Sequence, residues 1–171
     1  MRQIIEVGDV EKFIKNLNLS VDKSTSPLNK GRSLNIILVG GCFDILHLGH
    51  IVFLEKAKKE GDILVILLES DKNIKKNKGQ KRPINNQENR AVFLTKLKMV
   101  DYVIKLPEMK NDEEYLQIIN KIKPKVIAVS ENDKNLAKKM KQAKAIGAKL
   151  LKVTKIIPHQ STSRIIEIIK I

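Results

Sequence analysis

The sequence predicts a doubly wound α/β domain, a parallel sheet of about five strands with helices on both faces. Three observations carry that prediction. Short, mostly apolar, β-branched runs recur from residue 34 onward, stretches with helical apolar spacing lie between them, and the sharpest glycine turn falls where the first run gives way to a helix. Strands covered on both faces read as near-continuous apolar segments, as these do.

Residues Asp9 to Asn18 suit a short amphipathic helix with Val10, Phe13, Ile14 and Leu17 on one side. Ser20 to Ser33 has little to bury and contains Pro27 and Gly31, so residues 1–33 are expected to be a helix plus flexible linker, and residues 34–171 the main domain. Within that domain the expected strands are Asn35 to Gly40, Ile63 to Glu69, Tyr102 to Lys105, Val126 to Ser130 and Lys149 to Val153. Helices are expected at Leu48 to Glu60, Gln87 to Leu97, Asp112 to Lys121, Lys134 to Ile146 and Thr162 to Lys170. No internal repeat is visible.

Composition narrows the function classes. At 171 residues with 42% apolar and 30% charged residues, the chain can bury one core unaided. Its apolar runs are far shorter than the roughly 18 residues of a membrane span, and its first residues lack the apolar stretch of a secretory signal. A cytoplasmic protein is expected. One cysteine builds neither a disulfide nor a cysteine-rich zinc site. The net charge of +14 comes mostly from lysines scattered along the chain, and with no Trp, two Tyr and four Phe there are few stacking platforms for single strands. Nucleic acid is therefore not the expected partner; an anion pocket under a lysine-rich surface is.

The chemistry concentrates at Gly40-Gly41-Cys42-Phe43-Asp44-Ile45-Leu46-His47-Leu48-Gly49-His50, between the first main strand and its helix. Ligands of open α/β sheets bind at this edge, and a helix N-terminus attracts phosphate. Two of the chain's three histidines, His47 and His50, can face a phosphate chain there. The G-x-G-x-x-G spacing of dinucleotide folds is absent, which disfavours hydride transfer. Asp44 is expected either at the nucleotide or as a cap of the turn.

GCFDILHLGH resembles the G-x-F-D-x-x-H-x-G-H signature of the cytidylyltransferase-like nucleotidyltransferases, and the resemblance runs from about Leu34 to the C-terminus. It implies a Rossmann-like fold in which His47 and His50 stabilise the triphosphate while Gly41, Cys42 and Phe43 offer backbone contacts. In the basic segment Lys75 to Asn85 the K-G-x-x-R-P-x-N spelling is similar to the sugar-phosphate adenylyltransferase branch. By that resemblance Lys78 is the catalytic lysine, with Lys75, Lys76 and Arg82 as further phosphate-binding candidates. Arg90 sits in a segment similar to the family's E-R-x-x-x-L helix and offers a planar fork for phosphate. Ser161, Thr162 and Ser163 open the last helix and match the family's hydroxyl-rich phosphate segment. His159, just before them, reads as a turn residue. Asp133 is what remains here of a G-G-D or G-D-D sequence near the base, a departure that leaves the choice of nucleotide open.

The implied reaction is in-line attack of an ionised acceptor phosphate on the α-phosphorus of a nucleoside triphosphate, with Mg²⁺ screening the triphosphate and pyrophosphate leaving. An ionised acceptor needs no general base, which suits a site rich in donors. The favoured pair is ATP with a sugar 1-phosphate such as heptose 1-phosphate, as in the ADP-heptose branch of lipopolysaccharide core biosynthesis. The kinase domain often fused to that branch is not in this sequence, so another polypeptide is expected to make the sugar phosphate. Glycerol-3-phosphate cytidylyltransferase and FAD synthetase are alternatives, as is a non-catalytic nucleotide- or nucleic-acid-binding domain. The short chain and missing K-M-S-K-S loop argue against an aminoacyl-tRNA synthetase. The family also implies a homodimer.

Overall fold

A computed structural model describes residues 3–22, 34–155, 157–158 and 160–169. Its strands are β1 (Gln3–Glu6), β2 (Ile36–Gly41), β3 (Ile63–Leu68), β4 (Tyr102–Lys105), β5 (Val126–Ser130) and β6 (Lys149–Thr154), in one sheet of order β1-β4-β3-β2-β5-β6. All pairings are parallel. The helices are α1 (Val10–Asp22), α2 (Leu48–Lys58), α3 (Asp71–Lys78), α4 (Gln87–Thr95), α5 (Asp112–Ile122), α6 (Leu136–Ala145) and α7 (Thr162–Ile169).

Period-two alternation divides the core. Leu38, Val65, Leu67, Ile104 and Ile127 point to one face, where α1, α5 and α6 cover them. Ile37, Val39, Leu64, Ile66, Val103 and Ala128 point to the other, against Leu54 and Ala57 of α2 and Ala91 and Leu94 of α4. Both faces are dry, which is why the strands lack polar alternation. The chain steps outward from β2 through β3 to β4, then returns to place β5 on the other side of β2. That reversal opens a crevice at the carboxyl ends of β2 and β5.

The sheet has six strands rather than about five. The additional strand, β1, pairs with β4 from Gln3 beside Tyr102 to Glu6 beside Lys105. Only Ile4 and Ile5 are apolar in its four residues, too short a pattern to read as a strand. Ile5, Val10, Phe13 and Leu17 are buried in the same cluster as Ile104, Ile118 and Ile122. The N-terminal segment expected to stand apart is therefore part of the same core as far as it is described; α1 continues through the first three residues of the linker expected at Ser20 to Ser33, and the rest of it, residues 23–33, lies outside the described residues.

A second difference is α3, expected as a basic loop. Its sequence DKNIKKNK has one apolar residue, Ile74, and so no apolar stripe. Capping supplies what periodicity does not: the Ser70 hydroxyl accepts from the Asn73 N–H at 3.3 Å, and three lysines occupy the last turn, where the helix dipole favours cations.

Between α2 and β3 the chain passes against β2 at Gly61. A Cβ there would stand 2.3 Å from Ile37 Cδ1 and 2.7 Å from the Asn35 carbonyl. Gly61→Ala is expected to lower unfolding stability by about 1–3 kcal/mol. Gly8→Ala, with nothing within 4 Å, should change it little. Urea midpoints of the two variants check this.

Candidate active site

The turn after β2 is built around Phe43. Its φ of 48° lies in the left-handed region, where a non-glycine residue needs support from its surroundings. The support comes from packing. The ring lies over Gly41, where a Cβ would stand 2.8 Å from Phe43 Cε2, and the residue is only 5% exposed. From there the chain reaches His47, the N-cap of α2, whose side chain makes no capping bond. No acidic residue occupies the first turn of α2, so its positive end is not neutralised locally.

His47 and His50 stack with ring centroids 3.9 Å apart and 28° between planes, and Phe43 lies 5.2 Å from His50 on the other side. Gly49 makes this possible, because a Cβ there would meet both Cε1 and Nδ1 of His47 at 3.0 Å. Burial lowers the pKa of His47 from 6.5. Burial, followed by the nearby His47 and Lys78, pushes His50 down to about 3. The Nδ1 atoms of both rings are buried without a hydrogen-bond partner. At neutral pH the pair is uncharged and polar at an uncapped helix start, and an approaching anion would raise its pKa values.

The start of α7 meets this loop. The Thr162 hydroxyl donates to the Ile45 carbonyl at 3.3 Å, and Gln160 Cβ lies 3.4 Å from the Cβ position at Gly49. Ser161 caps α7 by accepting from the Arg164 N–H at 3.2 Å. Ser163 is exposed. Two helix N-termini thus come together. His159 lies outside the described residues.

Three other expected ligand-binding residues act elsewhere. Asp44 is 2% exposed and accepts from Arg82 Nε at 2.6 Å, from the Ile84 N–H at 2.8 Å and from the Asn85 N–H at 2.9 Å. It clasps the loop before α4 to the loop after β2, instead of capping the turn or facing a nucleotide. Burial alone would raise its pKa, but those two backbone donors and Arg82 outweigh it and hold the carboxyl below 3.8. Arg82 is 7% exposed within this clasp, not a surface cation on a loop. Arg90 has no exposed surface at all. It donates to the carbonyls of Asn85 at 2.9 Å, Cys42 at 2.6 Å and Glu69 at 2.9 Å, and to Asp71 Oδ1 at 2.6 Å. Its fork grips protein carbonyls in place of phosphate.

On the α5 and α6 side of the sheet edge lies a cleft of about 600 Å³. Gly41 and Cys42 form one wall, and Lys76 and Lys78 stand on the rim with Lys110 and Lys134. Lys78 lies near enough to the Cys42 thiol to act on its charge. Burial raises the thiol's pKa, Lys78 lowers it and Glu69 raises it. Lys75 is exposed and lies outside this wall. Asp133 pairs with Lys139 at 2.7 Å and accepts from the Asn135 N–H at 2.7 Å, while Lys139 reaches the Gly40 carbonyl at 3.3 Å. Asp133 therefore anchors the start of α6 to β2 and does not present a free carboxylate to a base.

Glu69, Asn73 and Tyr115 also line the cleft and were missed in the sequence. Glu69 follows the end of β3, so the sheet-edge rule alone could have found it; Tyr115 reaches in from α5 without a local motif. No group of three or more His, Cys, Asp or Glu able to hold a metal occurs among the described residues.

The Asp44 clasp has a pH signature. With its folded pKa below 3.8, the clasp stabilises fully above that value and is lost as pH falls through the folded pKa. Asp44→Asn leaves Arg82 buried without its carboxylate and is expected to cost about 3–5 kcal/mol at pH 7. The deficit against the wild type should narrow on acidification below about pH 4. Denaturant melts at pH 7 and pH 3 check both statements.

A cytidylyltransferase-like family model matches residues 38–168, which include the starts of α2 and α7. Bifunctional protein HldE of Helicobacter pylori is 39% identical over 155 residues, covering 89% of this chain and 31% of the relative. The corresponding protein of Campylobacter jejuni subsp. doylei is 35% identical over 165 residues, covering 95% of this chain and 32% of the relative. The chain thus spans about a third of the length of these relatives. A lipopolysaccharide core biosynthesis protein from Thermoplasma volcanium superposes with a TM-score of 0.59 at 28% identity, covering 75% of this chain and all of that one. A Francisella tularensis pantoate-beta-alanine ligase, at 15% identity and a TM-score of 0.58, shares the fold. No helix among the described residues is long and apolar enough to cross a membrane. With its HxGH turn, its converging helix starts and its matched length, this chain belongs to the cytidylyltransferase-like family.

Proposed function

We propose that this chain transfers a nucleotidyl group from a nucleoside triphosphate, ATP in the favoured case, to a sugar 1-phosphate such as heptose 1-phosphate, releasing pyrophosphate. The observation that carries the reading is the position of Lys78. It lines the cleft together with Cys42 and stands close enough to His50 to help depress its pKa. One cation therefore stands between a histidine-lined helix start and a separate lysine-rimmed cleft.

The division of labour follows from charge. The triphosphate lies along the starts of α2 and α7, where His47, His50 and the hydroxyls of Ser161 and Thr162 are grouped. The acceptor lies in the cleft with its phosphate towards Lys78. As an acceptor oxygen bonds to the α-phosphorus, the bond to the leaving pyrophosphate breaks and negative charge accumulates on the departing oxygens. Donors already in place stabilise that charge without reorganisation. The acceptor is ionised, so no side chain has to remove a proton. Mg²⁺ would add charge screening on the triphosphate. The identity of the HldE relatives and the lipopolysaccharide neighbour supports a sugar-phosphate acceptor, as does the K-G-x-x-R-P-x-N spelling at Lys78 to Asn85.

Pyrophosphate release tests this, with ATP and CTP each offered heptose 1-phosphate, glycerol 3-phosphate or FMN. Turnover is expected with ATP and heptose 1-phosphate. His47→Ala and His50→Ala should each lower kcat by about 10²- to 10³-fold. Turnover with CTP and glycerol 3-phosphate, or with FMN, would replace the favoured pair. Silence in every pair from folded protein would refute transfer to these acceptors.

A further inference from the structure

Two kinds of side chain line the cleft. Lys76, Lys78, Lys110 and Lys134 bring ammonium groups, and none of them has a carboxylate partner among the described residues. Glu69, Asn73 and Tyr115 form a second, acceptor-rich part of the wall. We infer that Glu69, oriented by Tyr115, reads the hydroxyl groups of the acceptor, so that this cleft selects a polyhydroxylated monophosphate. The word acceptor rests on the transfer reading; the hydroxyl-reading geometry does not.

The Glu69 backbone is pinned from both sides. Its N–H donates to the Gly41 carbonyl at 3.1 Å, and its carbonyl accepts from Arg90 at 2.9 Å. The side chain is held as well, Oε2 accepting from the Tyr115 hydroxyl at 2.7 Å and Oε1 from the Ser70 N–H at 3.1 Å. The direction of the Tyr115 proton is set by Asn73, whose Nδ2 donates to the Tyr115 oxygen at 3.1 Å and to the Met109 carbonyl at 2.9 Å. Both amide hydrogens of Asn73 are thereby engaged, as is the one hydroxyl hydrogen of Tyr115.

What this wall still offers a ligand is acceptors: the remaining lone pairs of the Glu69 carboxylate and the amide oxygen of Asn73. Acceptors without donors suit hydroxyl groups, which bring hydrogens. They do not suit phosphate, which brings negative charge and few hydrogens, so a phosphorylated ligand is oriented with its anion towards the lysines and its hydroxyls towards Glu69. The volume of about 600 Å³ is ample for a six- or seven-carbon sugar phosphate. A hydroxyl lost from such a ligand leaves a remaining lone pair of the fixed carboxylate without its donor, a loss by which hydrogen-bonding sites discriminate between ligands.

Titration calorimetry of the full chain with heptose 1-phosphate, its deoxy analogues and inorganic phosphate tests the assignment. Wild-type protein should bind heptose 1-phosphate more tightly than inorganic phosphate, and at least one deoxy analogue should lose about 10-fold in affinity. In Glu69→Gln the preference for the sugar over inorganic phosphate should fall by about 10-fold or more, while inorganic phosphate binds no more weakly. Tyr115→Phe, which keeps the carboxylate but releases it, should move the preference the same way. An unchanged preference in both variants overturns the inference, as does a wild type that ignores the deoxy substitutions; the latter arm stands even if Glu69→Gln fails to fold. Pyrophosphate release measured alongside separates the two readings. A Glu69-dependent sugar preference without turnover removes transfer and keeps the hydroxyl reader; turnover with an unchanged preference does the reverse.

Discussion

A single buried guanidinium holds the reaction edge of this protein together. Arg90 stands on α4, yet its donors reach the carbonyl after β2 at Cys42, the carbonyl after β3 at Glu69, the loop carbonyl at Asn85 and the carboxylate of Asp71 at the start of α3. Without that cation these carbonyls would converge with few donors between them, and a buried positive charge is tolerable only because four oxygens and one formal negative charge surround it. The Asp44–Arg82 pair closes the same region from the loop side. Together they fix the positions of Cys42, Glu69 and α3, and so the placing of Lys78 and the cleft wall. Neither arginine needs to touch a ligand to matter for the chemistry.

This scaffold separates two kinds of recognition. On the α2 side, neutral stacked histidines and two helix starts offer polarity without full positive charge, and the proposed reading puts the triphosphate there. On the α5 and α6 side, lysines and the Glu69 carboxylate held by Tyr115 line one cleft, and in the proposed reading they sort a ligand by its two ends. The thin partition between them is the Gly40 to Phe43 turn. Its narrowness has a steric cause, since Gly41 accommodates the Phe43 ring at a distance no Cβ would allow. Lys78 is the residue placed to act across that partition.

Much of this was legible before any coordinates. The five main strands stood out because each is short and mostly apolar, and His47 and His50 stood out because two of the chain's three histidines fall at the strand-to-helix turn where open α/β sheets bind ligands. β1 was invisible because two isoleucines in four residues carry no period. α3 was invisible because a helix held by its Ser70 cap and one buried isoleucine shows no stripe. The charged residues misled in a consistent way. Arg90, Arg82, Asp44 and Asp133 have the chemistry of ligand contacts, but they have partners as far as 48 residues away in the chain, so only the folded arrangement reveals that protein groups already occupy them. Glu69 and Tyr115 were missed for the converse reason: they are 46 residues apart and meet only across the cleft.

The claim that two half-sites meet at Lys78 is tested most directly by a crystal structure of the protein with α,β-methylene ATP and heptose 1-phosphate bound together. The account predicts the triphosphate along the starts of α2 and α7, the sugar in the cleft with its hydroxyls on Glu69, and an acceptor phosphate oxygen about 3–3.5 Å from the α-phosphorus beside Lys78. Both ligands on the same side of the Gly40 to Phe43 turn, or a sugar phosphate reversed with its phosphate at Glu69, would contradict it.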